Sequence, residues 1–224
     1  MQFSFIIPTF NEAAELPQLV SELQRIHALG HEVIIVDGGS QDMTVEVLVR
    51  EGYHVIGNPP GRAKQMNSGA CEAKNDVLVF LHADTRLPVD AFSKMMQACQ
   101  HNSWGRFDVA FTETGFLFKV IAAMMNFRSR ITGVATGDQC IFVRKNIFEQ
   151  VGRFPDISLM EDVALSKKLK KIASPACLDV CVITSARRWK QKGILRTIIL
   201  MWYLRLAYFL GVAPNKLHQL YYDK

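Results

Sequence analysis

The chain has few cysteines, and the five that it has show no paired spacing. No CxxC pair is present to hold zinc, and no regular framework indicates disulfide bonds. Reduced thiols are therefore expected, which favours a cytoplasmic protein. The opening segment, MQFSFIIPTFNE, has neither a basic stretch nor a small-residue cleavage site, so we expect no signal peptide. The five cysteines are Cys71, Cys99, Cys140, Cys177 and Cys181.

Two widespread nucleotide-binding loops are also missing. No GxGxxG follows the first predicted strand, which argues against a dinucleotide site of the Rossmann type. No GxxxxGK[ST] occurs, which excludes a P-loop. Internal repeats and low-complexity linkers are absent as well. The 224 residues, of which 49% are hydrophobic and 21% charged, are therefore predicted to form one folded domain.

Positive and negative charges are unevenly distributed along the chain. Residues 1–166 carry 14 Lys and Arg against 19 Asp and Glu, whereas residues 167–224 carry 12 against 2. The two parts therefore have net charges of −5 and +10. A basic carboxyl-terminal quarter fits an anionic partner such as a nucleic acid, a phosphate-bearing ligand or an anionic lipid surface. A solvated basic face without a partner fits the charge equally well.

The first hundred residues alternate between short apolar runs and amphipathic segments, and this rhythm changes after residue 105. The segments that connect these predicted strands and helices are short. Strands and helices that alternate with short connections predict an α/β fold with a parallel central sheet and right-handed crossovers. The predicted strands are residues 3–7, 32–37, 53–57, 77–82, 105–112, 138–144 and 176–184. The predicted helices are residues 14–28, 43–51, 62–73, 88–100, 145–151, 161–172, 193–211 and 214–222.

Segment 194–212 is apolar and long enough to be tested as a membrane span. Arg196 and Arg205 interrupt it, and an arginine near the bilayer centre costs about 2.5–3.5 kcal/mol on insertion scales. Nine residues at about 100° each place the two arginines on opposite sides of a helix. The polar residues of this helix are therefore not gathered on one side. Such a helix is more favourable when it is buried or lies at an interface than when it is exposed to water. We expect a core helix, with a lipid-facing helix as the alternative.

Polar residues follow each of the first four predicted strands. In open parallel sheets, ligands bind beyond the carboxyl ends of the strands. We therefore expect these segments to meet at one rim of the sheet and to form a binding site there. The segments are residues 8–12, 37–42, 61–65 and 82–85.

Two of these segments indicate a phosphate group and a metal ion. Arg62 and Lys64 lie in the first turn of a predicted helix, where cations are unfavourable unless an anion is bound. His82 and Asp84 offer an imidazole and a carboxylate, which suit a Mn²⁺ ion that bridges a diphosphate. Simpler roles in turns and helix caps stay open for Asp37, His82 and Asp84.

Six short motifs occur in a fixed order along the chain. They are IIPTFNE (6–12), VDGGSQD (36–42), Gly-Arg-x-x-Gln-x-Asn-x-Gly (61–69), LHADT (81–85), Glu161-Asp162 and Arg187-Arg188-Trp189. Together they resemble the motifs of glycosyltransferase family 2, whose members have the nucleotide-sugar-binding GT-A fold. The likeness runs from residue 3 to about 189. It is greatest to the small bacterial glycosyltransferases called radical-SAM/selenodomain-associated transferase 2.

This resemblance implies a binding site for a donor nucleotide sugar. The residues implied for the nucleotide base and ribose are Pro8, Thr9, Glu12 and Asp37. Arg62 resembles the family's basic residue near the diphosphate, and Arg188 lies in a shortened QxxRW motif that would contact the donor. Asp84 matches the last acid of the family's DxD metal motif, in which His82 replaces the first acid. A divalent cation, Mn²⁺ or Mg²⁺, is therefore expected at Asp84 and His82.

The resemblance also implies the catalytic residue and the organisation of the chain. Asp162 matches the acid of the family's ED motif, which is the general base of inverting transfer. Without the resemblance, Glu161 and Asp162 would be interpreted as acids that stabilise a helix N-terminus. A single GT-A domain over 1–224 is expected. Its nucleotide-sugar-binding half covers about 1–112, and its acceptor-binding half covers about 113–224 with helices at the carboxyl terminus.

The predicted activity is the metal-assisted, inverting transfer of a sugar from a nucleoside-diphosphate sugar to an acceptor hydroxyl. A lipid-linked acceptor and an anionic membrane surface are candidate partners, whereas no nucleic acid is expected. The protein would be cytoplasmic, and either peripheral to the membrane or a soluble enzyme whose helix at 194–212 is buried. A nucleotidyltransferase is one alternative, although PTFNE is acidic where such enzymes have a Gly-rich basic loop. A non-catalytic nucleotide-sugar-binding or membrane-docking protein is another, against which the presence of Asp84 and Asp162 counts.

Overall fold

The structure, a computed structural model, describes residues 1–222, without the side chains of residues 188, 191 and 192. The strands in this part of the chain are Ser4–Thr9 (β1), Glu32–Asp37 (β2), Val55–Gly57 (β3), Val77–Phe80 (β4), Thr85–Arg86 (β5), Trp104–Phe111 (β6), Ile141–Arg144 (β7) and Ala176–Thr184 (β8). They form one sheet in the order β3-β2-β1-β4-β7-β6-β8-β5. Strands from both predicted halves of the chain thus share one sheet.

The strand directions confirm the predicted α/β fold with a mainly parallel sheet. β1 pairs in parallel with β2 and β4, and β2 pairs in parallel with β3. β6 and β8 are parallel as well. β7 runs antiparallel to both β4 and β6, and β5 runs antiparallel to β8. These reversals were not predicted, because the direction of a strand depends on distant partners.

Helices cover both faces of the sheet. Within the described residues they are Leu16–Ala28 (α1), Thr44–Arg50 (α2), Arg62–Glu72 (α3), Ala91–His101 (α4), Phe116–Thr132 (α5), Lys145–Gln150 (α6), Glu161–Lys170 (α7), Arg187–Lys192 (α8), Ile194–Phe209 (α9) and Pro214–Tyr222 (α10). Short 3-10 turns lie at Ala13–Glu15 and Gly137–Gln139. Most predicted helices begin and end within a few residues of these bounds, whereas α5 and α8 were not predicted as helices.

Alternate residues of β1 pack on opposite faces of the sheet. Phe5 and Ile7 belong to a core that includes α1 and α4, whereas Ile6 belongs to a core that includes α3 and α7. Gly69 of α3 allows a close approach to β1, because a Cβ there would lie 2.6 Å from Ile6 Cγ2. This packing fixes α3 against β1. The first turn of α3, which begins at Arg62, consequently lies near the carboxyl end of β1.

Helix α9 is not the core helix that we expected from its sequence. It buries Thr197, Leu204 and Ala207 and belongs to a small cluster with α7 and α10. Trp202 and Phe209, in contrast, are 62% and 77% exposed. The expectation was wrong because α9 packs at the edge of the fold, where no described element covers its outer side. Across residues 1–222, no helix has both the length and the hydropathy to cross a membrane.

Candidate active site

A cavity of about 570 Å³ opens at the carboxyl ends of β1 and β4. Its other walls come from the first turns of α3 and α7, from the Gly137–Gln139 turn, and from α9 and α10. Seven of the residues that the sequence predicted for the site line this cavity together. They are Pro8, Thr9, Glu12, Arg62, His82, Asp84 and Asp162.

Asp37 is buried at the end of β2 and does not line this cavity. Its Oδ1 accepts hydrogen bonds from Thr9 Oγ1 at 3.0 Å and from Ser40 Oγ at 2.5 Å. Its Oδ2 accepts from the backbone N–H groups of Gly39 at 2.9 Å and of Ser40 at 2.7 Å. Gln65 supports the same region by donating two 2.8 Å hydrogen bonds to backbone carbonyls of β1 and β2. Asp37 therefore ties β1 to the loop after β2, and contact with a nucleotide base stays a prediction.

Asp162 lies in the first turn of α7 with both carboxylate oxygens held by backbone groups. The N–H of Gly137 donates to its Oδ2 at 2.8 Å, and the N–H of Val163 donates to its Oδ1 at 2.6 Å. The helix begins after Met160, whose φ of +69° is unusual for a residue with a side chain. These donors and the helix N-terminus stabilise negative charge and orient the carboxylate, as a proton acceptor requires.

Glu161 is the most buried carboxyl group of the cavity wall. Burial, and after it the neighbouring charge of Asp162, raises the pKa of Glu161 to about 7, against the opposing charge of Arg62. Glu161 is therefore partly protonated near neutral pH. No sequence motif indicates this shift, because the burial of Glu161 depends on elements far from it in the chain.

His82 is enclosed by the turn that precedes β7. Its Nδ1 lies 3.4 Å from Asp138 Oδ1, and a Cβ on Gly137 would lie 2.4 Å from its Nε2. Burial opposes ionisation of Asp138, but the hydrogen bond with His82 and the charge of Arg62 hold the pKa of Asp138 below its usual value. Both ring nitrogens of His82 thus face the turn. These contacts favour a role in positioning Asp138, while metal ligation by His82 stays a prediction.

Asp84 is the carboxylate that was predicted to bind a divalent cation. It lines the cavity, and its Oδ1 accepts a long hydrogen bond from Thr85 Oγ1 at 3.3 Å. Among the described residues, no cluster of three His, Cys, Asp or Glu side chains could hold a metal ion. Mg²⁺ is commonly held by one or two carboxylates together with substrate phosphates. Asp84 therefore fits a cation that binds together with a diphosphate rather than a preformed metal centre.

Glu12 connects the first strand to α8. Burial raises the pKa of Glu12 and the charge of Asp84 adds to this effect, while Arg187 opposes it. Arg187 Nη2 donates to Glu12 Oε2 at 3.3 Å, and Nη1 lies 3.4 Å from Glu15 Oε1. These ion pairs hold the beginning of α8 next to the cavity. Arg188 follows in α8, but the side chain that was predicted to contact the donor lies outside the described residues.

Arg62 is the first residue of α3 and lines the cavity. Gly61 precedes it with a φ of +136°, a conformation that favours glycine. The Arg62 guanidinium lowers the pKa of both Glu161 and Asp138. A cation in the first turn of a helix is unfavourable with the helix dipole, so these acids compensate it partly. The wall that contains Arg62 and the N-terminus of α3 attracts anions.

Sequence reasoning missed the cavity wall that α9 and α10 form. Arg205 of α9 and His218 of α10 both line the cavity. No short motif could have indicated them, because their position depends on tertiary packing in the cluster of Met160, Leu204 and Leu217. The sequence indicates Arg205 only as an interruption of an apolar segment and as one of the 12 basic residues in 167–224.

Comparison with known proteins identifies related sequences over the first part of the chain. The family model described as Glycosyl transferase family 2 matches residues 4–152. An uncharacterized glycosyltransferase of Haemophilus influenzae is 34% identical over 105 residues, which cover 44% of this chain and 35% of that protein. A dolichol-phosphate mannosyltransferase of Pyrococcus furiosus is 32% identical over 110 residues, which cover 46% of this chain and 31% of that protein. The chain thus spans about one third of the length of these relatives.

Solved structures share the fold at low sequence identity. The mannosyltransferase PcManGT from Pyrobaculum calidifontis, in complex with GDP-Man and Mn²⁺, gives a TM-score of 0.69 at 19% identity, over 96% of this chain and 66% of that chain. S. aureus TarS 1-349, in complex with UDP-GlcNAc, gives 0.67 at 17% identity, over 83% of this chain and 58% of that chain. These similarities confirm the predicted GT-A fold. With a family match that covers most of the chain, the protein belongs to glycosyltransferase family 2.

Proposed function

We propose that the protein transfers a sugar from a nucleoside-diphosphate sugar to an acceptor hydroxyl, with inversion at the anomeric carbon. The observation that carries this proposal is that Arg62, Asp84 and Asp162 line one cavity. They offer a cation for the diphosphate, a carboxylate for a metal ion and a base for the acceptor. Transfer requires a stabilised leaving group and a proton acceptor, so this combination supplies what the reaction needs.

In this proposal, the donor binds across the carboxyl ends of β1 and β4. Pro8, Thr9 and Glu12 bind the nucleoside, while Arg62 and the first turn of α3 bind the diphosphate through positive charge and free N–H groups. The nucleotide sugars GDP-Man and UDP-GlcNAc named in the complexes of PcManGT and TarS support this class of donor. Two different bases occur in these complexes, so the proposal covers the class and not one nucleotide.

A divalent cation at Asp84 is part of the proposal. When bound, such an ion neutralises the charge that develops on the departing diphosphate. Asp84 supplies the protein ligand, and the Mn²⁺ named in the PcManGT complex supports this ion. Arg62 adds positive charge from the chain itself. Asp84 and Arg62 together would therefore bind the diphosphate more tightly as its negative charge increases.

Asp162 accepts the proton of the acceptor hydroxyl in the proposed reaction. The N–H groups of Gly137 and Val163 fix its carboxylate before the acceptor binds, which lowers the cost of orienting it. The acceptor oxygen attacks from the side of Asp162, while the diphosphate leaves on the side of Arg62. One in-line displacement of this kind inverts the configuration of the sugar carbon.

The proposal is tested by incubating the protein with a panel of nucleotide sugars and Mn²⁺, with and without a membrane lipid extract as a source of acceptors. We expect release of a nucleoside diphosphate from at least one donor and faster release with the extract. A nucleotidyltransferase would instead release pyrophosphate from a nucleoside triphosphate and a sugar phosphate. If no donor is turned over and no nucleoside diphosphate binds, the proposed function is wrong.

We also propose that the protein works at the cytoplasmic face of an anionic membrane. Helices α5 and α9 each expose apolar side chains at a spacing of three to four residues, which we call the apolar stripes. They are Phe116, Val120, Met124, Phe127 and Ile131 in α5, and Leu195, Ile199, Trp202, Leu206 and Phe209 in α9. Large exposed apolar patches on a protein mark sites of interaction with another protein or with a membrane.

Basic residues accompany the apolar stripes and favour an anionic lipid surface over a neutral one. Lys119 lies on α5, while Lys190 and Arg196 lie on α8 and α9. Each basic residue near such a surface contributes about 1 kcal/mol of attraction. Apolar insertion and electrostatic attraction together provide the two signals that stable peripheral binding requires. The free cysteines are consistent with the reducing cytoplasmic side.

A further inference from the structure

Arg205 lines the cavity together with Asp162, and Arg128 donates to Val134, which packs against the same cluster as Leu204 of α9. Arg128 belongs to the second half of α5, and Arg205 belongs to α9. Burial lowers the pKa of Arg128 to about 10, and the charge of Arg205 acts in the same direction, so the two cations repel. Asp162 attracts Arg128 but forms no ion pair with it. The fold therefore brings the two guanidinium groups within range of each other's charge.

The Arg128 guanidinium is poorly satisfied within the described part of the chain. Its Nη1 donates one long hydrogen bond, of 3.4 Å, to the backbone carbonyl of Val134. Its Nε and Nη2 are buried without a hydrogen-bond partner among the described residues. Buried donors are normally paired, and an unpaired donor on a charged group is especially costly. Unpaired donors on a buried cation favour the binding of an anion at this position.

Arg205 belongs to α9 and lines the cavity. It lines the wall with Met201 and Leu204 and makes no ion pair with a described residue. Burial opposes ionisation of Asp138, and its pKa is lowered first by His82, then by Arg62 and last by the charge of Arg205. Asp138 interacts with His82 at 3.4 Å instead. Arg205 is thus a cation of the cavity wall that forms no ion pair with a carboxylate of the described residues.

We propose that Arg205, with Arg128 behind it, binds a phosphate group carried by the acceptor, next to Asp162. This inference depends on the proposed function, because it names the class of acceptor for the same site. Guanidinium groups match the oxygens of a phosphate group in both geometry and charge. An anion between the two arginines removes their repulsion and provides partners for the unpaired N–H groups. The donor diphosphate has a separate cation in Arg62.

The same two helices carry the apolar stripes on their outer sides. A phosphate held by Arg128 and Arg205 would therefore lie between helices whose exposed faces are suited to an alkyl chain. This arrangement fits a lipid phosphate, while a water-soluble phosphate ester would satisfy the arginines without using the stripes. A lipid phosphate and a water-soluble phosphate ester both carry the phosphate group. Only the lipid phosphate has an apolar chain that would increase its affinity for the protein.

Binding of three small probes to the protein tests the inference. The probes are decyl phosphate below its critical micelle concentration, glycerol 3-phosphate, and decanol as the neutral control, each titrated by calorimetry. The variants are Arg205→Gln and Arg128→Gln, with Arg130→Gln as the matched control on α5. Arg130 is exposed and pairs with Asp108 at 2.6 Å, away from the cavity.

We expect decyl phosphate to bind the wild type and Arg130→Gln equally and to bind Arg205→Gln at least tenfold more weakly. Much tighter binding of decyl phosphate than of glycerol 3-phosphate identifies a lipid phosphate as the source, and equal binding identifies a soluble phosphate ester. The inference is overturned if decanol binds as tightly as decyl phosphate, or if neither substitution weakens the phosphate probes. Thermal unfolding checks each variant, and Arg205→Gln decides the result if Arg128→Gln does not fold.

A second measurement separates this inference from the proposed function. The dissociation constants of UDP and GDP with Mn²⁺ should be the same in the wild type and in Arg205→Gln. If nucleotide binding is weakened instead of phosphate-probe binding, Arg205 belongs to the donor site and the inference fails. If the phosphate probes bind as expected but no nucleotide binds, the inferred anion site stands and the proposed function fails.

Discussion

The backbone N–H of Gly137 donates a 2.8 Å hydrogen bond to Oδ2 of Asp162. The turn before β7 therefore holds a carboxylate of α7, although the two segments are separated by two further elements of the chain. The same turn encloses His82, and a side chain at position 137 would overlap the imidazole. The candidate base is thus positioned by an element outside its own helix.

Asp162→Asn should lower turnover by about 10²–10⁴-fold and leave nucleotide binding nearly unchanged. The amide keeps the shape of the side chain but cannot accept the proton of the acceptor hydroxyl. Steady-state rates and calorimetric binding of the nucleoside diphosphate check this. Asp90→Asn, an exposed change before α4, serves as the control. Sugar transfer by Asp162→Asn at the wild-type rate would show that another group is the base.

Asp84→Ala should weaken the binding of nucleoside diphosphate only when a divalent cation is present. The carboxylate holds the ion, and the ion contacts the diphosphate, so binding without the ion does not depend on Asp84. Titrations with Mn²⁺ and with excess chelator measure the difference. We expect the gain in affinity from Mn²⁺ to be lost in the variant. If Mn²⁺ increased the affinity of the variant as much as that of the wild type, the metal ion would have to bind at another residue than Asp84.

Arg62→Ala should raise the dissociation constant of the nucleoside diphosphate by about 10–100-fold and reduce its dependence on salt. The substitution removes the cation in the first turn of α3 and leaves the pocket for the nucleoside. Titrations at several salt concentrations check both effects. Arg50→Ala, which removes an exposed ion pair with Glu46, is the matched control. Equal affinities for the wild type and Arg62→Ala would exclude a role at the diphosphate.

Glu161→Gln should remove part of the pH dependence of stability. The pKa of Glu161 is about 7 in the folded protein, against 4.5 for an unperturbed glutamate. Folding therefore favours the protonated carboxyl group, whose contribution is complete below about pH 4.5 and is lost as the pH rises through about 7. The loss is on the order of 3 kcal/mol. The amide cannot ionise, so the variant should gain stability relative to the wild type across this range.

Denaturant unfolding at pH 5, 6, 7 and 8 measures the effect of Glu161→Gln. The difference in the free energy of unfolding between variant and wild type should increase with pH and level off above about pH 8. Glu51→Gln, at an exposed position, should give a difference that does not change with pH. A constant difference for Glu161→Gln as well would show that its carboxyl group titrates normally.

The double substitution Trp202→Ser and Phe209→Ser should abolish sedimentation of the protein with anionic vesicles. Both side chains are exposed on α9, so their removal reduces the apolar area available for insertion without disturbing the core. Wild type should sediment with anionic but not with neutral vesicles at low salt. Val89→Ser, at a position that is 94% exposed elsewhere on the surface, should behave like the wild type. A wild type that stays in solution with both kinds of vesicle would contradict membrane association.

The sequence predicted the nucleotide-type part of the fold well, because β1, β2 and α1 have clear apolar periodicity. It also predicted that the segments after β1 and β4 share one rim, since the ends of parallel strands meet at the same edge of a sheet. It could not predict the exposed side of α9, because hydropathy does not show how many faces of a helix are covered. The contacts of His82 and Arg205 were equally inaccessible, because they depend on how distant segments pack.

The reversed direction of β7 has a consequence for how such a protein can diversify. β1 and β4 end at the cavity, whereas β7 begins there, so a segment that precedes a strand lines the cavity together with segments that follow strands. Apart from Gly137, which holds Asp162 and leaves room for His82, the residues between α5 and β7 can therefore change in chemistry while the parallel strands keep their register. The wall of the cavity is in this way divided between parts of the chain that can change separately.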